Sequence, residues 1–91
     1  MRFDWDDANI SHLAAHGVTP KEFEQAFRNH IRLYRAVHHR ERRYVVLGET
    51  ERSRVLTLIY TMRGRKIRAV TAHTAPRKQR KFYAEQKSTT R

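Results

Sequence analysis

The spacing of apolar residues changes from a helical period to an alternating one at Ile31, dividing the chain into a helical first third and a strand-rich remainder. Ahead of that point, Phe3 and Trp5 fit one face of a short strand over residues 2–5. Asp6 or Asp7 is placed to cap a helix running to His16, with Ile10, Leu13 and Ala14 on one face and Gly17 as its stop. Thr19-Pro20 opens a second helix. Threonine is the cap, proline takes the first helical position, and Glu22, three residues after the cap, completes a capping box. Phe23, Ala26 and Phe27 form the apolar stripe of this helix.

Beyond Ile31, residues 31–37, 43–47, 55–62 and 66–72 read as strands. The turns at 38–41, 48–53 and 63–64 are short enough for an antiparallel meander. Residues 55–62 are apolar on both faces, which marks the central strand. After Ala75-Pro76 a last helix carries a narrow apolar line of Ala75, Gln79, Phe82 and Tyr83, with Arg77, Lys78, Arg80 and Lys81 over the rest of its surface. Residues 87–91 read as a frayed tail. The predicted class is α+β: two N-terminal helices, a four-stranded mainly antiparallel sheet with room for a short extra N-terminal strand, and a C-terminal helix, in a single domain of residues 1–91.

Composition narrows the setting. With 91 residues, 38% apolar and 32% charged, the chain supports one domain with a thin core. The lack of cysteine excludes disulfides and thiolate metal sites and suits a reducing cytoplasm. MRFDWDDANI lacks the basic cluster and apolar run of a secretory signal, and no stretch approaches the length of a membrane span, so the expectation is a cytoplasmic protein without a membrane partner. The net charge of +11 is unevenly placed: residues 1–27 carry two basic against five acidic side chains, and residues 28–91 carry eighteen against four. A field of that kind draws polyanions, with nucleic acid first and an acidic protein surface second.

Candidate chemistry concentrates in residues 67–83, where Arg68, His73, Arg77, Lys78, Arg80, Lys81 and Tyr83 combine phosphate-binding cations, an imidazole and an aromatic ring. RNA can be cleaved without a metal, because its 2′-hydroxyl attacks the adjacent phosphate once the backbone is held in line and protons are moved. Arg43 and Arg68, supported by Arg54 and Arg63, suit anchoring and charge stabilisation through guanidinium forks. His73 is the natural acid or base, and Tyr83 the natural stacking or proton-donating group. No Gly-rich phosphate loop, nucleotide fingerprint or Ser/His/Asp signal is present, so no cofactor is expected. His12 and His16 stand four apart on one helix but have no third ligand in sequence, so no metal is expected either; His16 reads as a helix-end residue near the last carbonyls. Glu41 with Arg43 reads as an ion pair across a turn in preference to a catalytic couple.

The order FDWDDANISHLAAHGVTPKEFEQAF, ERRYVVLG, SRVLTLIYTMRGRKIRAVTAH and RKQRKFY resembles the BrnT-type toxins of bacterial type II toxin-antitoxin systems, over about Phe3 to Tyr83. Trp5-Asp6, His16-Gly17-Val18, Glu41 with Arg43, Gly48, Arg54, Thr61, Arg63, Ile67-Arg68 and Thr71-Ala72 carry the likeness in order and spacing. The resemblance implies a RelE-like fold and a ribonuclease that inhibits translation and is neutralised by a cognate antitoxin. That antitoxin usually has a ribbon-helix-helix part, and operator DNA is reached only through it. His73 stands where the family commonly has arginine, and Gln79 where it commonly has glutamate. Those two changes motivate an alternative: a non-catalytic basic module that binds RNA, the ribosome or the antitoxin and acts in operon autoregulation. A toxin with a non-RNA target, as in gyrase-poisoning relatives of the fold, is a third reading.

Overall fold

Both N-terminal helices begin where side chains take up the backbone N–H groups that a helix leaves unpaired. In the computed structural model, which describes residues 2–89, Asp6 accepts from the Asn9 N–H at 2.9 Å while the Asn9 side chain accepts from the Asp6 N–H at 2.9 Å. This reciprocal cap opens α1 (Asp7–Ala14). The amide of Asn9 also donates to the Asp4 carbonyl at 2.9 Å, which satisfies a polar side chain that is otherwise buried. The helix stops at Ala14, two residues short of the expected His16. Gly17, at φ +70°, turns the chain there, and the Val18 N–H returns to the Leu13 carbonyl at 3.1 Å. Thr19 and Glu22 form the predicted capping box and open α2 (Pro20–Arg28).

The strands are β1 (Arg2–Phe3), β2 (Ile31–His38), β3 (Glu41–Glu49), β4 (Val55–Arg63) and β5 (Lys66–Thr74), in the spatial order β1-β5-β4-β3-β2. Only β1 pairs in parallel, beside β5, so the sheet is mixed, with five strands, and β4 is at its centre as its two-sided apolarity required. Two expected turns are redrawn. The turn at 38–41 tightens to His39-Arg40, both at positive φ (50° and 66°), as a two-residue hairpin needs, and Glu41 becomes the first residue of β3. Gly48, expected in a turn, is inside β3. A Cβ there would sit 1.9 Å from the Ala26 carbonyl oxygen, so its bare backbone is what lets α2 close on the sheet.

One face of the sheet is covered by α1 and α2, whose Leu13, Phe23 and Phe27 pack with Val46, Leu58 and Ile67. The other face receives α3 (Arg77–Thr89), where Tyr83, with Ala75 just before the helix, packs against Leu47, Leu33 and Val55. Residues 87–89 are therefore helical where a frayed tail was expected, and Thr90 and Arg91 are outside the described residues. The helix α3 packs over only one end of its face. The other end, where β3 and β5 start and β4 finishes, carries side chains without a helix above them. Beyond Ile67 the outer edge of β5 meets α1 in place of a strand, because β1 is only two residues long.

Candidate active site

At that uncovered end a cleft of about 260 Å³ opens between α1 and the sheet, lined by Asn9, His12, Glu41, Arg43, Thr61 and Arg68. The register explains the grouping. Arg68 is directly opposite Thr61, and Tyr44 is opposite Tyr60, so by alternation Arg43, Thr61 and Arg68 share one face across three neighbouring strands. Glu41, two residues before Arg43, shares it too. A bulge in β5 at Val70 shifts the register between Ile59 and Tyr60 and bends the strand beside the cleft. Thr61 is held by its hydroxyl, which donates to the Arg42 carbonyl at 2.7 Å.

Both arginines are positioned by carboxylates of their own chain. Arg43 donates through Nε to Glu41 Oε2 at 3.0 Å. Arg68 is mostly enclosed, its side chain 19% exposed, and donates to Asp6 Oδ2 at 2.8 Å with Asp4 Oδ2 at 3.9 Å. The Asn9 N–H that Asp6 caps, followed by the Arg68 guanidinium, holds the Asp6 carboxyl below its ordinary range. Its ion pair and its helix cap therefore persist above the ordinary carboxylate pKa and are lost together as pH falls through the lowered one. Each guanidinium keeps donors beyond those already used, and both side chains line a cleft large enough for a phosphate.

The structure brings Arg43 and Arg68 together and separates them from the other two expected catalytic residues. His73 is five residues further along β5, about 16 Å at strand rise, with Nδ1 3.0 Å from the Thr74 carbonyl oxygen. It ends a row of three imidazoles, 6.2 Å from His16, which is itself 5.9 Å from His12. The histidine in the cleft is His12. Tyr83 is 3% exposed within the packing under α3, 3.4 Å from Asn29 Oδ1, so it has no face for a base. Burial, followed by the nearby Glu49 carboxylate, pushes its phenol pKa up and opposes proton donation.

The supporting cations divide as well. Arg63 is at the cleft margin, 3.6 Å from Asp4. Arg54 is at the opposite end of the sheet, where it donates to the Gly17 carbonyl at 2.8 Å, to Glu22 at 3.3 Å and to the Thr74 hydroxyl at 2.9 Å, tying the α1–α2 turn to the end of β5. On α3, Arg77, Lys78 and Lys81 are exposed, and Arg80 donates to the Ala75 carbonyl at 2.6 Å. Gln79 accepts from the Thr57 hydroxyl and fastens α3 to β4. By sequence His12 is only half of a metal pair and Glu41 only an ion-pair partner. Placing Glu41 and Arg43 on one side needs only their i,i+2 spacing on a strand, but placing His12 beside them needs the packing of α1 along β5. Among the described residues no group of three or more His, Asp or Glu is arranged to hold a metal ion.

Fold and cleft together define a small, basic α+β protein compatible with a RelE-like architecture, with cations and a carboxylate gathered on the uncovered end of a sheet. The chain belongs to the BrnT toxin family: the family model for the ribonuclease toxin, BrnT, of type II toxin-antitoxin systems matches residues 5–79. Membership implies a toxin with ribonuclease activity, with RNA as substrate and an antitoxin as partner. No curated protein matches the chain. Among the described residues no helix is long and apolar enough to cross a membrane.

Proposed function

We propose that this protein is a cytoplasmic, metal-independent RNA endonuclease that inhibits translation, and that its chemistry is carried by Glu41, Arg43, Arg68 and His12. The observation that carries this reading is the convergence of a carboxylate, two guanidinium groups and an imidazole in one cleft. Arg43 and Arg68 hold the scissile phosphate and offset the charge that builds on it. Glu41 removes the proton of the ribose 2′-hydroxyl, whose oxygen bonds to phosphorus. The P–O5′ bond breaks, and His12, in its protonated form, donates a proton to the departing 5′-oxygen. The products are a 2′,3′-cyclic phosphate and a 5′-hydroxyl, with no water consumed in this step. Nucleophile, base, acid and charge stabiliser are all supplied by RNA and protein.

The exposed cations of α3, Arg77, Lys78 and Lys81, add attraction for the flanking backbone. A cognate antitoxin with an acidic segment and a ribbon-helix-helix part neutralises the toxin by covering the cleft and α3, including the partly exposed Phe82, and connects it to operator DNA. One feature favours the non-catalytic alternative: both cleft arginines already face carboxylates of their own chain.

The test is incubation of the purified protein with defined RNA oligomers in EDTA, beside Glu41→Gln and His73→Ala. Wild type is expected to cleave, leaving 2′,3′-cyclic phosphate ends, and Glu41→Gln to fall by roughly 10²–10⁴-fold, the usual contribution of a general base. His73→Ala is expected to remain within a few-fold of wild type. Full activity in Glu41→Gln combined with none in His73→Ala would transfer the chemistry to the other end of β5. Salt-sensitive binding with no cleavage by wild type would favour the non-catalytic module.

A further inference from the structure

With Tyr83 enclosed, the cleft needs another surface on which to lay a base. We infer that Tyr34 is that surface: the nucleotide beside the scissile phosphate stacks its base on the exposed Tyr34 ring while Arg43 holds the phosphate. This rests on the reading of the cleft as an RNA site and names how the substrate is seated in it.

Three observations carry the inference. The first is register. Tyr34 is opposite Val45 and Ala36 is opposite Arg43, so Tyr34 and Arg43 are diagonal neighbours on the cleft face. Such neighbours are about 7–8 Å apart, within reach of aromatic and long side chains and comparable to the span from a phosphate to its base.

The second is a bulge that serves no evident packing purpose for Tyr34. Arg32 pairs with Val46 and Tyr34 with Val45, so Leu33 is an extra residue in β2. With a regular ladder Tyr34 would oppose Tyr44, on the side covered by α1 and α2. The bulge turns it to the cleft side while Leu33 still packs beneath α3.

The third is exposure. Tyr34 is 53% exposed, the most open of the Phe, Trp and Tyr side chains among the described residues, and there it has no ring partner, hydrogen bond or cation. It lies on the outermost strand, so no strand lies beyond it. The surface between Tyr34 and Arg43 is made by Ala36 and the low, buried Val45, which leaves the ring's approach to the phosphate open. A single aromatic platform accepts any base, so recognition at this position is tolerant of sequence.

The test pairs catalysis with a binding readout that does not need it. Tyr34→Ala is expected to lower kcat/KM on an RNA oligomer by about ten- to a hundredfold, and Tyr34→Phe to retain it, because stacking uses the ring and not the hydroxyl. Val37→Ala is the control: Val37 is 72% exposed on the same strand but opposite Arg42, on the other face, and its replacement should change nothing. In parallel, a 2′-O-methyl oligomer that cannot be cleaved should shift the Tyr34 ring proton resonances upfield, the resonances being assigned by their loss in Tyr34→Ala. An upfield shift with no cleavage of ordinary RNA by wild type would retain the platform and reject the catalytic reading. Cleavage and oligomer affinity unchanged in Tyr34→Ala, without a ring shift, would overturn the platform. So would a Tyr34→Ala defect confined to antitoxin binding, which would make this a protein-docking residue.

Discussion

Arg68→Ala and Arg43→Ala are each expected to reduce RNA cleavage by roughly 10²–10³-fold, the range for removing one preorganised donor to a charge that develops in the transition state. The loss should fall mainly on kcat, since the phosphate gains its extra charge only as the 2′-oxygen attacks. Lysine at either position should restore little, because an ammonium offers a point charge where the site presents two planar forks, from β3 and β5 on either side of β4. The double variant separates the two roles. If both arginines hold one phosphate, its loss should be far smaller than the product of the single losses. Thermal unfolding distinguishes this from misfolding. Arg68 is mostly enclosed while its carboxylates are partly open to water, so Arg68→Ala should lower Tm by only a few degrees and still unfold in one cooperative transition. A variant folded like wild type and cleaving as fast would remove these arginines from the mechanism.

Gly48→Ala should have the largest effect on stability of any single methyl group added to this chain. The new Cβ would stand 1.9 Å from the Ala26 carbonyl oxygen and 2.6 Å from its carbon, and both are helix backbone that cannot rotate aside. Forcing α2 away from β3 opens the packing of Phe23 and Phe27, so a loss of at least about 3 kcal/mol is expected. At this size that corresponds to a fall of roughly 15 °C in Tm. Gly64→Ala is the informative comparison. Gly64 adopts φ +63° and a methyl group there would meet nothing within 4 Å, so it should lose only the roughly 1 kcal/mol of the left-handed backbone. Equal losses at the two sites would mean that contact with α2 is not the reason for glycine at 48.

How much the chain reveals before it is folded follows from the range over which each feature is determined. The caps of α1 and α2, the alternation of β2 to β5 and the central place of β4 are encoded within windows of a few residues, and they are legible there. Gly48 misleads because GETERS has turn composition, while the reason for its glycine is a helix more than twenty residues earlier. Arg43 and Arg68 are legible as phosphate ligands by residue type, and their pairing across Thr61 is implicit once the hairpins have a register. His12 escapes notice because only the course of α1 along β5 brings it to the cleft. Tyr83 carries two signals, a place in the apolar line of α3 and a chemical role suited to its phenol, and burial selects the first. The bulge at Leu33 leaves no trace in the alternation, so the face of Tyr34 follows only from the ladder.

The carboxylates that aim Arg68 come from the beginning of the polypeptide, sixty-two positions before it in the case of Asp6. Contacts of such separation form late, since the intervening chain must first be ordered. During synthesis, then, α1 and the first hairpin can emerge and fold while the cleft does not yet exist, and it is completed only when β5 pairs with β1. On the proposed mechanism, no nascent chain cleaves RNA before β5 has been made and has paired, which gives an antitoxin already present in the cell time to meet the toxin before it is competent.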